Sequence, residues 1–477
     1  ECLCWMTKHS LFLNLTENSW KKKADSFILR LDSYSPVLEI GENYKFFYQF
    51  YIPTECMKGV FMKDKLFTRD FSLVVIGQII SLFGNSILRF ALPLHLLNET
   101  GSASLFGIVT ACSFIPMILL SPAGGIVADR VNKRNIMVIL DYATSALILL
   151  FTAALGHVSL VMLLVITLMI LYGIQGAYQP AVQASLPALL TPDRLLSGNA
   201  VINQVNALAN LIGPVAGGAL YGFYGIRPIL YVSIICFIFS ATMELFIHIP
   251  FKKPKKGTSV FAVVKQDLSE SFWFIRTEQP VIGKGILIVC AFNLFLSALL
   301  IVGLPVIITQ FLHMSSQLYG YAQGALALGG LLGGILTGVF AKRLNIQGVH
   351  VLLLLSGASL LPIGLVLNLD VPPMAAYIVI TLCSFFMMAC STMFTVQMLS
   401  FVQALTPHHL IGKVISCIMA LSMCSQPLGQ AVYGVLFDVL KSQSYFAVYG
   451  ACLICCLISW ESRKIFRTIP LAEPAAE

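Results

Sequence analysis

Gly125-Ile126-Val127-Ala128-Asp129-Arg130-Val131-Asn132-Lys133-Arg134 ends one apolar run of the chain and begins the next. It has a weaker copy in Gly338-Val339-Phe340-Ala341-Lys342-Arg343, and the shift from 125 to 338 is 213 residues. The same shift carries Leu105-Phe106-Gly107 onto Leu318-Tyr319-Gly320 and Pro214 onto Pro427. Leu190-Thr191-Pro192 resembles Leu405-Thr406-Pro407 with a small gap. One spacing kept along the chain is the mark of a parallel duplication, six helices followed by six. Such repeats place a substrate site between the halves, near the bilayer midplane.

Composition says what surrounds those helices. Hydrophobic residues fill 57% of 477 positions and charged residues only 11%, against about a quarter charged in soluble domains. A chain so poor in charge cannot cover its surface in water, so a lipid bilayer is its expected partner. The net charge of +8 does not point to nucleic acid, because the Lys and Arg sit in short connections between apolar runs. No nucleic-acid partner is expected. Cys452, Cys455 and Cys456 have no second paired cluster, so the thirteen cysteines read as membrane packing, and no metal or cofactor is expected. His95, His157, His248 and His313 are isolated near membrane edges, and carboxylates do not cluster within the spans. The chain is therefore not expected to be an enzyme. Neither Gly-rich stretch is followed by Gly-Lys-Ser/Thr, which leaves an ion gradient, or the substrate's own, as the energy source.

A spanning helix needs about 20 mostly apolar residues. Such runs lie near 71–97, 103–128, 135–156, 159–183, 198–222 and 228–249, then near 283–312, 317–341, 347–368, 372–402, 412–437 and 443–461. The expected fold is an all-α membrane protein of twelve transmembrane helices in two six-helix bundles, 62–250 and 283–477. Residues 251–282 form the connection, where Val260, Val263, Val264, Leu268, Phe272 and Ile275 recur at helical spacing. That pattern predicts an amphipathic cytoplasmic linker helix. Lys and Arg fall on alternate connections, which places both termini in the cytoplasm. Residues 1–61 differ in kind, with no span of membrane length, and Met62-Lys63-Asp64-Lys65 stands just before the first run. They are expected to be an extension outside the fold, whose deletion leaves insertion and transport intact.

The opening stretch resembles the loop between helices 2 and 3 of the major facilitator superfamily, with Asn132 where that motif commonly has Gly. The resemblance covers residues 62 to about 467. A narrower likeness, carried by Ser86-Ile-Leu-Arg89-Phe-Ala-Leu-Pro93-Leu and Gln179-Pro180-Ala-Val-Gln183-Ala-Ser-Leu-Pro187, is to the macrolide-efflux-like branch of drug:proton antiporters. Asn210-Leu-Ile-Gly213-Pro214-Val-Ala-Gly217-Gly218 looks like the helix 5 segment of antiporters, with Ala200 and Ala209 where the pattern has Gly. Tyr172 stands where many proton-coupled exporters have Arg. The resemblance implies a monomeric alternating-access exporter of small hydrophobic or amphipathic molecules, coupled to protons, in a bacterial inner membrane. A transporter of a specific metabolite, such as a siderophore or lipid, and a non-transporting receptor or scaffold are the alternatives.

Candidate residues follow. The resemblance implies that Gly125, Asp129, Arg130 and Arg134 form a conformational latch, with Asp129 meeting the N-terminus of helix 11 near Gly412; otherwise these charges only fix topology. Each charge inside a span costs about 2.5–3.5 kcal/mol at the centre, so Arg89, Asp141 and Glu244 need reasons. Arg89 and Glu244 lie toward helix ends, where both can snorkel, and for Glu244 the nearby Lys252 favours that over a functional role. Asp141, two turns into its helix, is either the proton acceptor or a structural pairing group. Gln175, Gln179, Asn203 and Asn206, with Asn293, Gln323, Gln397 and Gln426 in the second half, either line a substrate cavity or hold helices together. Gly213, Pro214, Gly217 and Gly218, and the stripe Gly330, Gly334 and Gly338, are expected to allow close packing and bending.

Overall fold

The structure is a computed structural model describing residues 66–250, 260–341, 345–369 and 371–467, and the side chains among them except those of 129, 260–265 and 442. The extension 1–61, residues 251–259 of the connection, and Lys342 and Arg343 lie outside the described residues.

Helices account for nearly all of the described chain. In order they are α1 Arg69–Thr100, α2 Ala103–Arg130, α3 Lys133–Ala154, α4 Leu160–Leu189, α5 Leu195–Tyr224 and α6 Ile226–Leu245. A linker helix, Val260–Thr277, precedes α7 Pro280–Phe311, α8 Ser316–Val339, α9 Ile346–Asn368, α10 Pro373–Leu405, α11 Ile411–Leu440 and α12 Tyr445–Arg467. Eleven of these are long and apolar enough to cross a membrane. The twelfth expected span, α5, is as long but carries Asn199, Asn203, Gln204, Asn206 and Asn210. Polar side chains on a helix of this length are tolerated where they face a protein interior rather than lipid.

Local chemistry sets the ends. Thr68, Ser102, Asn132 and Ser315 cap α1, α2, α3 and α8 with side-chain oxygens that accept a backbone N–H of the first turn. Gly101 ends α1 at φ 62°, a left-handed turn natural to glycine. In α7 two stretches, Asn293–Ser297 and Val306–Phe311, wind as π-helix, the second beginning just after Pro305.

Packing repeats with the sequence. Within the first six helices α1 packs on α5 and α6, α2 on α4, and α3 on α6; within the last six α7 packs on α11, α8 on α10, and α9 on α12. Across the halves the substantial contacts are α2 with α11 and α5 with α8, which exchange under a shift of six helices. The linker helix is fastened to the second half. Lys413 at the start of α11 pairs with Asp267 at 2.8 Å and Glu270 at 2.5 Å, and Phe274 and Ile275 are buried with Ile282, Ile286 and Val414.

Candidate functional site

The side chains of α1, α2, α4, α5, α7 and α8 line a cavity of about 700 Å³. Its walls are amides from α4 and α5 (Gln175, Gln179, Gln183, Asn203, Asn206 and Asn210), the rings of Phe90, Phe106, Phe114, Tyr172 and Tyr319, and the Arg89 guanidinium. A second cavity of about 400 Å³ lies in the last six helices, lined by Asn293, Gln426, Ser391, Thr392, Thr395, Phe292 and Met388. Ile301 and Gln323 border both. The first cavity is the more polar, and the second the more apolar.

Of the eight amides singled out from sequence, Gln175, Gln179, Asn203, Asn206 and Gln323 line the first cavity, and Asn293, Gln323 and Gln426 the second. Gln397 lines neither, and its side-chain oxygen is buried without a hydrogen-bond partner. Asn206 and Asn293 donate to the carbonyls of Ile202 and Val289 on their own helices, and Gln323 donates to the Tyr319 hydroxyl at 2.9 Å. Asn85, Ser86 and Thr110 also line the first cavity and were not singled out. Gln78, Ser81, Asn85 and Arg89 recur every three or four residues along α1, a polar stripe that could have revealed them.

Arg89 does not snorkel. Its guanidinium lies 4.1 Å from the centre of the Tyr172 ring, a cation–π stack inside the cavity, and Phe114 meets the same ring edge-on at 5.1 Å. A guanidinium thus stands over the position where many exporters carry an Arg of helix 4. Glu244 does not snorkel either. It is fully buried and accepts a hydrogen bond from the Tyr178 hydroxyl at 2.7 Å. Asp141, 2% exposed, accepts from Ser81 Oγ at 2.9 Å.

The cavity is sealed at the face opposite the basic connections. There α2 and α11 approach so closely that a Cβ on Gly434 would lie 2.7 Å from the Ala103 carbonyl oxygen, and a Cβ on Gly218 of α5 would lie 2.7 Å from Gly320 Cα of α8. Asp438 near the end of α11 caps the start of α2. Its carboxylate accepts from Ser102 Oγ at 2.7 Å and from the N–H groups of Ala103 and Ser104 at 2.8 and 2.9 Å. Asn98 donates to Ser316 and Gln310 to the Leu97 carbonyl across the same seam. Phe90 of α1 stacks on Tyr319 of α8 at 4.9 Å beneath it.

At the basic face, a Cβ on Gly125 of α2 or Gly412 of α11 would meet none of the described residues within 4 Å. The Asp129 side chain of the expected latch lies outside the described residues. Arg134 donates to the Leu245 carbonyl at the end of α6, tying α3 to α6 within one half. On α5, Gly213 and Gly217 face α1 and Gly218 faces α8. The stripe on α8 needs correction: among the described residues nothing lies within 4 Å of a Cβ on Gly334 or Gly338, and Gly330 makes only ordinary contacts. Gly329 and Gly333 make the close approach, to the Phe385 and Ala389 carbonyls of α10.

Apolar helices around a polar cavity, with two repeats touching on one face, are the build of a membrane transporter that works by alternating access. The chain belongs to the Major Facilitator Superfamily, whose family model matches residues 74–430. Macrolide efflux protein A of Streptococcus pyogenes is 21% identical over 383 residues, spanning 80% of this chain and 93% of that protein. The staphyloferrin A transporter of Staphylococcus aureus is 24% identical, over 78% and 90% of the two chains. Among solved structures, the nucleoside transporter NupG superposes with a TM-score of 0.68 at 11% identity, covering 84% of this chain and 100% of that one. The superfamily is one of transporters, and this chain is a multi-pass membrane transporter for small molecules rather than an enzyme.

Proposed function

We propose that the protein exports small hydrophobic or amphipathic compounds, macrolide-like drugs among them, by alternating access coupled to proton entry, and works as a monomer. The observation that carries this reading is the 700 Å³ cavity, which joins amides and aromatic rings with one guanidinium. Ring faces take apolar surface by area, and a few polar groups orient the bound molecule. The likeness to macrolide efflux protein A supports the same cargo. Taking the basic face as cytoplasmic, the sealed face is the outer one, and the cavity is poised to load from inside. Residues 62–250 and 283–477 act as the two moving bundles, with 251–282 as their connection and the Asp129 latch as the inner counterpart of the Asp438 seam.

A second reading, transport of one specific metabolite, is favoured by Arg89. Among the described residues no acidic side chain pairs with it, so a carboxylate or phosphate on the cargo would find a cation waiting. The similarity to a staphyloferrin A transporter fits that reading. Cellular accumulation of ethidium and a labelled macrolide, with and without a protonophore, separates the two. Lower accumulation on expression, restored by the protonophore, is the expected result. Unchanged accumulation of both, with the protein confirmed in the membrane, overturns drug export in favour of a specific cargo.

A further inference from the structure

Two carboxyl groups are buried inside the first six helices with no cation beside them. Asp141 of α3 and Glu244 of α6 are 2% and 0% exposed, and neither takes part in an ion pair among the described residues. One oxygen of each is hydrogen-bonded, Asp141 Oδ1 by Ser81 and Glu244 Oε1 by Tyr178. The other oxygens, Asp141 Oδ2 and Glu244 Oε2, are buried with no partner. A buried carboxylate left half-solvated in this way is costly, and two of them side by side cost more.

The two are neighbours. Glu244 lies against Gly77, where a Cβ would come 3.3 Å from its Cγ, and Asp141 lies against Ser81, one turn further along α1, roughly 6 Å of rise. Ser240 stands beside both carboxyl groups and spends its own proton on the Gly77 carbonyl. Tyr178 is held in place by the Gln78 amide, which donates to its hydroxyl at 2.7 Å. Among the described residues, the titratable groups facing the pair are each other and Tyr178 of α4; α1 faces them with Gly77, Gln78 and Ser81. Asp141 also borders a void of about 10 Å³, close to the room one water needs. Asn85 and Gln175 wall that void and the 700 Å³ cavity alike.

We propose that Asp141 and Glu244 are one proton-binding unit that holds a single proton between them, Asp141 exchanging it with the transport cavity past Asn85 and Gln175. One proton lowers the charge of the pair from two to one and supplies a donor for an oxygen that lacks one. Tyr178 and Ser81 are positioning residues, each fixing one carboxyl oxygen so that the free oxygens take the proton. The inference rests on the proton-coupled export reading and deepens it, because it gives Glu244 and Tyr178 a part that no drug-binding role requires.

Infrared spectroscopy of the full chain in lipid nanodiscs tests it without any substrate, by following the C=O stretch of protonated buried carboxyls through a pH titration. The expected wild-type result is one such band that titrates as a coupled pair. In Asp141→Asn and in Glu244→Gln the remaining group titrates over an interval displaced by about one pH unit or more; the double variant loses the band. Tyr178→Phe, which keeps the ring, displaces the band as well, and thermal melting confirms that each variant is folded. If the wild type shows no such band, or either single variant leaves the other carboxyl titrating as before, the unit does not exist. Protonophore-insensitive export together with a coupled titration would instead remove proton coupling from the export reading and leave the proton site standing.

Discussion

Arg89 brings a full charge into a cavity otherwise made of amides and rings, and holds it by stacking on Tyr172 at 4.1 Å. A guanidinium bond to an acceptor group on the cargo is worth about 1.5–3 kcal/mol, roughly tenfold or more in affinity. Arg89→Gln should therefore weaken binding of anionic or acceptor-rich molecules about tenfold, and leave binding of the cation ethidium equal or tighter. Equilibrium binding to the purified protein measures both, and equal weakening of both would show that Arg89 only shapes the cavity. The sequence displayed this residue and its cost but not its partner. Tyr172 comes from another helix, 83 positions further along the chain. Glu244 was misread for the same reason: its place near a helix end is visible in the sequence, while Tyr178, which donates to it, and Gly77, against which it lies, are brought there only by packing.

At the scale of elements, the seam where Asp438 caps α2 holds the sealed face. Asp438→Ala removes a capping side chain worth about 0.5–2 kcal/mol. The population with α2 and α11 apart at that face should rise severalfold, read as a longer distance between spin labels on the two helix ends. No change in that distance would reduce Asp438 to a local cap. The linker helix gives a pH prediction. Hydrogen bonds from Lys413 and Gln266 hold the Glu270 carboxyl below the usual glutamate range. A group held low contributes while it stays ionised, so the clamp should persist as pH falls to the ordinary glutamate value of about 4.3 and loosen only below it. Hydrogen exchange of residues 266–277 measures this; loosening well above that pH would contradict the pairing. Helix existence and order were legible throughout, because about 20 apolar residues in lipid have few alternatives to helix. The rotation of each helix was not. The Gly330-Gly334-Gly338 stripe is real in the sequence, yet α8 turns Gly329 and Gly333 toward α10 instead. A helix rich in glycine presents more than one small face, and only its neighbours choose between them.

For the whole molecule, the repeat seen in the sequence becomes a pair of equivalent contacts, α2 with α11 and α5 with α8, that close one face of the cavity. Both depend on glycine. A methyl group on Gly218 would sit 2.7 Å from Gly320 Cα and 2.9 Å from the Ser316 carbonyl oxygen, closer than unbonded atoms rest. Gly218→Ala should hold the sealed face ajar and reduce turnover while leaving binding intact; binding and transport assays on the same preparation separate the two, and normal turnover would show that the seam yields. The central claim, that proton entry drives export of amphipathic compounds through this cavity, is tested most directly in proteoliposomes with an acid interior. Ethidium or a labelled macrolide should accumulate inside only while the pH gradient lasts, and Asp141→Asn should abolish that accumulation. Accumulation that ignores the gradient, or an Asp141→Asn protein that still follows it, would contradict the account.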